Sequence, residues 1–218
     1  FASMSEMLTT QDGLNVKFIG PDWRERAALH GTIDYLPTIL DEAAELLRSN
    51  TEWKFWKKPT APDISNARLE FVDMLHFCMS EELCKNTDRE HGVEQIAANM
   101  ATGYEFVYGF SGSRTPPSFN FQLHKRALFT YLAWVFSYYA SDDSEVLGEL
   151  PSDPLTGLMD PARDSGDAVL DDLNDLDSLA ASADWVSFWE IAFYLGMTLE
   201  EVRLTYLSKV SLNEFRIA

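Results

Sequence analysis

The sequence predicts an all-α protein with one large domain, and three observations carry this prediction. Apolar residues recur at helical spacing along most of the 218-residue chain. We find no convincing run of alternating apolar and polar residues, which is the pattern of a half-buried strand. Hydrophobic residues make up 46% of the chain, enough to bury a sizeable core between helices.

The first predicted helix covers residues 4–19 and is ended by Gly20-Pro21-Asp22. Steps of four, three and four residues predict one face of mixed apolar and amide character. Its members are Met7, Gln11, Leu14 and Phe18. Residues 1–3, which precede Met4, do not resemble a native N-terminus, and we interpret them as the remnant of a tag. We therefore expect a single domain at 4–218.

Four further helices are predicted in the middle of the chain. The first begins near residues 32–37, where Pro37 is tolerated in a first turn, and ends at about Ser49. The other three cover residues 65–83, 93–110 and 119–140. The last of them is apolar and aromatic on nearly all sides, which is typical of a buried helix.

The stretch from 141 to 184 differs from the rest of the chain. Residues 142–184 contain thirteen Asp or Glu and one Arg, a charge of −12 out of the total of −18. We interpret residues 141–184 as a long acidic insertion or loop, with a short helix around 168–179. A helix over 184–195 follows, and Thr198 with Glu201 forms a capping box that predicts the start of the last helix.

The net charge of −18 and the pI of 4.4 argue against binding to nucleic acids or to acidic membranes, since phosphates would be repelled. An acidic protein still binds a small phosphate ligand when its carboxylates hold a divalent cation. No apolar run reaches about 18 residues, so no membrane span is predicted. The two cysteines, Cys78 and Cys84, are expected to be reduced, which favours a cytoplasmic setting.

Two carboxylate pairs lie on predicted helices. Glu42 and Glu45 are three residues apart, Glu70 and Asp73 repeat this spacing, and apolar residues surround each pair. Two such helices packed side by side would bring four carboxylates to one point, where a hard cation such as Mg²⁺ offsets their repulsion. The same spacing is common on solvated helix faces, so the spacing alone leaves both interpretations open.

Motifs on both sides of these pairs resemble the dimeric all-α dUTPase family, which includes phage dCTPase/dUTPases and belongs to the MazG-like superfamily. In chain order they are Gln11-Asp12-Gly13-Leu14-Asn15, Asp22-Trp23, Glu42-x-x-Glu45, Trp53-Lys54-Phe55-Trp56-Lys57, Glu70-Phe71-Val72-Asp73-Met74-Leu75-His76-Phe77, Tyr206-Leu207-Ser208-Lys209 and Leu212-Asn213-Glu214-Phe215-Arg216. The resemblance covers about 1–83 and 185–218, and residues 84–184 carry no motif that we recognise. Val210 departs from the family pattern, which has Asn there.

The resemblance implies a MazG-like helical bundle that forms a homodimer and hydrolyses dUTP to dUMP and pyrophosphate. This activity would serve nucleotide pool sanitation or dTTP precursor supply, in the cytoplasm of a bacterium or a phage-infected cell. Glu42, Glu45, Glu70 and Asp73 would hold two or three Mg²⁺ ions, with Mn²⁺ as an alternative. Glu45, with Glu42 beside it, is the candidate catalytic carboxylate that orients or deprotonates the attacking water.

The resemblance also implies a set of substrate-binding residues. Candidate phosphate cations are Lys57, Lys209 and Arg216. Candidates for contact with the base and sugar are Gln11, Asn15, Trp56, His76 and Asn213. Each also has a simpler interpretation: surface charge for the cations, a polar helix face for the amides, packing for Trp56 and a satisfied core histidine for His76.

Three alternatives stay open at this point. The enzyme could prefer dCTP or accept both dCTP and dUTP, because an amide side chain can flip to serve either pyrimidine edge. It could act on another deoxynucleoside triphosphate, including a purine one. It could also be an acidic regulatory protein without activity, in which residues 141–184 mimic a nucleic acid.

Overall fold

The computed structural model describes residues 2–28, 33–50, 54, 56–58, 60–85, 92–110, 121–141 and 183–217. These residues form eight α-helices and no strand, which confirms the all-α prediction. The helices are α1 (Ala2–Ile19), α2 (Trp23–Ala28), α3 (Leu36–Arg48), α4 (Ile64–Lys85), α5 (Gly92–Phe110), α6 (Phe121–Ser141), α7 (Ala183–Tyr194) and α8 (Leu199–Ile217). No helix in the described part of the chain is long and apolar enough to cross a membrane.

Helix α1 ends where the sequence predicts, but its buried face differs from the predicted one. Gly20 ends the helix with a φ of 123°, a conformation that favours glycine. Met7, Gln11 and Leu14 are buried as expected, whereas Phe18 is 51% exposed, so the prediction for Phe18 was wrong. In this last turn it is the neighbouring Ile19 that packs against the core.

Helix α4 lies at the centre of the fold and contacts α1, α2, α3, α5, α7 and α8. Its start is capped by Asp63, whose Oδ1 accepts a hydrogen bond from the backbone N–H of Asn66 at 3.0 Å. Its partner α3 begins at Leu36 with a proline in its first turn. The backbone N–H of Asp63 donates to the carbonyl of Ser49 at 2.9 Å, which ties the end of α3 to the start of α4.

Helices α5, α6 and α7 form the aromatic part of the core. Trp189 on α7 donates to the carbonyl of Met100 on α5 at 2.9 Å. A Cβ atom at Gly103 would lie 2.8 Å from the backbone of Trp185, so only glycine permits this approach of α5 to α7. Helix α6 was expected to be buried on nearly all sides, but Phe129 is 53% exposed, because α6 packs mainly against α7 on one side.

The capping box at the start of α8 is confirmed. Glu201 Oε2 accepts from the backbone N–H of Thr198 at 2.8 Å, and Thr198 Oγ1 accepts from that of Glu201 at 3.2 Å. Cys78 and Cys84 are buried free thiols, as predicted. The acidic residues 142–182, with the helix predicted at 168–179, lie outside the described residues.

Candidate active site

Three of the four predicted metal ligands converge between α3 and α4. One carboxylate oxygen each from Glu42, Glu45 and Glu70 lies within 4.8 Å of the other two, and all three residues are half-buried. The first two residues lie three apart on α3, so they share one face of that helix. Since α3 and α4 pack side by side, Glu70 meets this face from α4.

The electrostatic environment of this carboxylate triad opposes the ionised forms. The pKa of Glu42 is raised to about 7, first by burial and then by the charges of Asp73, Glu70 and Glu45. Burial also raises the pKa of Glu70, although a hydrogen bond from Asn66 acts in the other direction. The triad therefore concentrates negative charge that the ion pair between Arg48 and Glu45 offsets only in part.

The fourth predicted ligand, Asp73, forms an ion pair with a lysine of the same chain. Its Oδ2 lies 2.6 Å from the Nζ of Lys209 on α8, and both side chains are largely shielded from solvent. Burial still raises the pKa of Asp73, because it outweighs the nearby ammonium group. The structure thus joins two residues that the sequence analysis assigned to different roles, Asp73 to metal binding and Lys209 to phosphate binding.

An open cleft of approximately 350 Å³ lies beside the triad. Its lining residues are Glu45, Arg48, Ser49, Thr60, Ala61, Asp63, Asn66 and Glu70. Arg48 pairs with Glu45 at 3.0 Å, and Asn66 donates to Ser49 Oγ at 3.2 Å. The sequence analysis missed Arg48 and Asn66. Their helical spacing, three residues after Glu45 and four before Glu70, was the available signal.

A second polar cluster, the amide network, lies between α1, α4 and α8. Gln11 Nε2 donates to Asn15 Oδ1 and to Ser80 Oγ, each at 3.0 Å, and Asn15 Nδ2 donates to Ser80 Oγ at 2.9 Å. On the other side of the Gln11 amide, Oε1 lies 2.7 Å from His76 Nδ1 and 3.1 Å from the hydroxyl of Tyr206. All five residues are buried.

His76 is a neutral member of this network at physiological pH. Burial lowers the pKa of its imidazole to about 3, with a smaller contribution from the charge of Lys209. Its ring stacks against Tyr206 with the centroids 4.4 Å apart. Ser80 and Tyr206 were not among the predicted site residues; Ser80 lies two helical turns after Asp73, a spacing that places both on one face of α4.

A family model described as dUTPase matches residues 3–133. The chain belongs to the dUTPase family. The match spans α1 to α5 and enters α6, so it includes both carboxylate pairs and Ser80. It also covers residues 84–133, where we recognised no motif, whereas the motifs of α8 lie outside it. No curated protein matches the chain in sequence.

Membership of the dUTPase family identifies the chain as a dUTP diphosphatase-like hydrolase, with nucleotide pyrophosphatase activity of the dUTP/dCTP type. It confirms the suspected family and sets aside the alternative of an inactive regulatory protein. dUTPase-type enzymes generally use a divalent metal ion, and the triad of this dUTPase-family chain fits one. Oxygens on opposite sides of a Mg²⁺ ion lie about 4.2 Å apart, twice the metal–oxygen distance of about 2.1 Å.

The remaining predicted residues lie in the segment between α3 and α4 and on the last turns of α8. Trp56 is 60% exposed and Lys57 is also exposed, in the segment between α3 and α4. Asn213 is half-buried and Arg216 exposed on the last turns of α8. The pKa of Asp73 is raised overall, and the charge of Arg216 partly offsets this rise, so the two residues interact electrostatically. The roles of all four in substrate binding stay predictions.

Proposed function

We propose that this member of the dUTPase family hydrolyses dUTP to dUMP and pyrophosphate in a Mg²⁺-dependent reaction. One observation carries the proposal: Glu70, Asp73 and Ser80 follow at helical spacing on α4, so the carboxylates and the amide network lie along one helix. The seven residues from Asp73 to Ser80 span about 10 Å. This is comparable with the separation of base and polyphosphate in a nucleotide.

At the phosphate end, Glu42, Glu45, Glu70 and Asp73 hold two or three Mg²⁺ ions, with Mn²⁺ as the alternative. The bound cations supply charge neutralisation at the phosphates and acidify a nearby water. Glu45, with Glu42 beside it, orients and deprotonates the attacking water. Support comes from the pKa of Glu42, which is raised first by burial and then by the charges of the neighbouring carboxylates.

Three cations complete the phosphate site. Lys209 binds the triphosphate, because its ammonium already lies at the metal-binding carboxylate Asp73. Arg216, whose charge reaches the same carboxylate, adds a planar donor group that suits phosphate oxygens. Lys57, exposed in the segment between α3 and α4, is the third cation of the proposal.

At the base end, Gln11 and Asn15 select the pyrimidine, and His76 orders the amides from α4. Trp56 stacks on the nucleotide, and Asn213 adds a polar contact from α8. Because amides donate and accept, a specificity for dCTP or for both dCTP and dUTP is the second candidate function.

We also propose that the chain acts as a homodimer in the cytoplasm. Large apolar side chains are exposed on the last turns of α1 and α8, in a protein of net charge −18. They are Val16, Phe18, Leu212 and Phe215. The ion pair between Lys17 and Glu214 joins these two helix ends, and exposed apolar side chains grouped in this way typically mark an interface between protein chains.

The substitution Glu45→Gln tests the catalytic assignment. It removes a negative ligand and the base while keeping the shape of the side chain, so kcat for pyrophosphate release should fall by about 10²- to 10⁴-fold. Asp41→Asn is the matched control, since Asp41 lies on the same helix with its side chain 74% exposed, and it should remain active. Equal activity of the Glu45 variant and the wild type would overturn the assignment.

A further inference from the structure

The hydroxyl of Ser80 is the centre of the amide network. Its Oγ lies 2.9 Å from the backbone carbonyl of His76, 3.0 Å from the Gln11 amide and 2.9 Å from the Asn15 amide. Ser80 is 1% exposed, so all these contacts are shielded from water. A serine hydroxyl has one proton and two lone pairs, and three neighbours are enough to use all of them.

The carbonyl of His76 decides which neighbour receives the proton. A carbonyl oxygen only accepts, and a serine hydroxyl commonly donates to the carbonyl four residues before it in a helix. Ser80 Oγ therefore accepts from both amides, and the atoms of Gln11 and Asn15 that face it are the NH₂ nitrogens.

His76 supports the same orientation independently. With its NH₂ group facing Ser80, Gln11 presents Oε1 to His76, which must then carry its proton on Nδ1. The other ring nitrogen, Nε2, is buried and has no hydrogen-bond partner among the described residues. A proton on Nε2 would be a buried donor without an acceptor, so the Nδ1–H tautomer is the less costly one.

The two amides differ in what this network leaves available. Gln11 donates both N–H groups, to Asn15 and Ser80. Its Oε1 accepts from His76 and from the hydroxyl of Tyr206, whose one proton is shared with the backbone carbonyl of Met7, each at 3.1 Å. Asn15 uses one N–H and one lone pair within the described residues. Asn15 thus retains one donor and one acceptor of fixed orientation for a ligand.

We propose that Ser80 is a specificity-determining positioning residue, which selects between uracil and cytosine by preventing the Asn15 amide from flipping. The inference rests on the proposed function, in which these amides select the base; Gln11 holds the network together, and Asn15 offers its remaining donor and acceptor to the base. Uracil presents an acceptor at position 4 and a donor at position 3, whereas cytosine presents a donor and an acceptor in these places. For one pose of the ring, an amide of fixed orientation therefore matches only one of the two bases.

The substitution Ser80→Ala tests the proposal. It removes the hydroxyl that fixes both amides, so Asn15 is free to flip and the ratio of kcat/KM between dUTP and dCTP should move at least about tenfold towards one. A loss of general stability would lower both kcat/KM values together and leave the ratio unchanged. Ser187→Ala is the matched control, because Ser187 is an equally buried serine on α7, and its ratio should equal that of the wild type.

Two outcomes of this experiment overturn the inference and leave the proposed function intact. One is an active Ser80→Ala variant with the wild-type ratio, and the other is a wild type that turns over both nucleotides equally. Absence of any turnover by the wild type would instead contradict the proposed function.

The tautomer of His76 gives a second test, on the wild-type protein, if Ser80→Ala does not fold. Long-range ¹H–¹⁵N correlation spectra distinguish a protonated from a bare ring nitrogen. The network requires a proton on Nδ1 and none on Nε2. A proton on Nε2 alone would mean that the Gln11 amide has the opposite orientation, and the inference would fail.

Discussion

The carboxylate triad and the amide network both include residues of helix α4, but they differ in charge and in hydrogen bonding. Glu42, Glu45 and Glu70 bring like charges within 4.8 Å of one another, and the pKa of Glu42 is raised to about 7 as a result of burial and this repulsion. Gln11 and Ser80 are deeper, uncharged and fully hydrogen-bonded. The first cluster lacks a countercharge for its carboxylates, whereas the Gln11 amide at the centre of the second has partners on both its nitrogen and its oxygen.

This difference separates two contributions to function. A cluster that repels itself gains stability when a cation arrives, so its charge is available for metal binding and catalysis. A buried hydrogen-bonded network is preorganised. It contributes to specificity because it holds the donors and acceptors of its amides in one arrangement. Removing a negative charge from the carboxylate triad should therefore stabilise the metal-free protein. Removing a hydrogen-bonding group from the amide network should destabilise it.

The largest effect is expected when the amide network is broken. Gln11→Leu leaves the partners of the amide on α4 and α8 buried without hydrogen bonds, which should cost about 3 kcal/mol of unfolding free energy. For a chain of this size the Tm should fall by roughly 6–12 °C. Gln95→Leu on α5 is the control, since Gln95 is exposed and its substitution should change the free energy by less than about 0.5 kcal/mol. Equal melting temperatures of the two variants would contradict the account.

An intermediate effect is expected for the pH dependence of metal binding. A cation needs the ionised carboxylate of Glu42, whose pKa is raised to about 7. The affinity for Mg²⁺ should therefore be constant above this pH and fall by up to about tenfold per unit below it. Calorimetric titration at pH 6, 7 and 8 measures this, and an affinity that does not change between pH 6 and 8 would disprove the assignment.

The smallest effect concerns the stability of the metal-free protein. Because the pKa of Glu42 is raised in the folded state, its protonated form stabilises the fold below about pH 4.5, and this contribution is lost as the pH rises through about 7. Glu42→Gln should thus stabilise the protein at pH 8 by about 1 kcal/mol or less, after solvent screening. This corresponds to a Tm increase of about 2–4 °C.

Two controls accompany the Glu42→Gln measurement. As the pH falls below about 4.5, the melting temperatures of the variant and the wild type should converge, since Glu42 is then protonated in both the folded and the unfolded state. Addition of Mg²⁺ at pH 8 should raise the Tm of the wild type more than that of the variant. A variant that is less stable than the wild type at pH 8 without metal would show that the triad does not repel itself.

The sequence was sufficient for the elements and the carboxylates because both depend on local patterns. Helical periodicity and the capping box at Thr198 predicted seven of the eight described helices to within a few residues, whereas the short helix α2 was not predicted. The spacing of three residues placed Glu42 beside Glu45, and the family motifs joined them to Glu70. These features require only the geometry of a single helix.

The sequence was not sufficient for contacts between distant parts of the chain. Lys209 pairs with Asp73 across 136 positions of sequence, and nothing local to either residue indicates this. Nothing in the sequence around Ser80 indicates that its hydroxyl accepts from Gln11, because this contact forms only when α1 packs against α4. Phe18 continues an apolar pattern, yet the neighbouring Ile19 packs against the core in this turn and Phe18 is exposed. Partners and burial follow from packing, which a periodic pattern does not encode.

The central claim is that the carboxylates of α3 and α4 hold metal ions that hydrolyse a pyrimidine deoxynucleoside triphosphate. The most direct test measures pyrophosphate release from dUTP, dCTP, dTTP, dATP and dGTP, each with Mg²⁺ and with excess chelator. The account predicts release from dUTP, or from dCTP as the second candidate, together with the matching monophosphate, and loss of activity on chelation. No turnover of any nucleotide, or turnover that survives chelation, would contradict it.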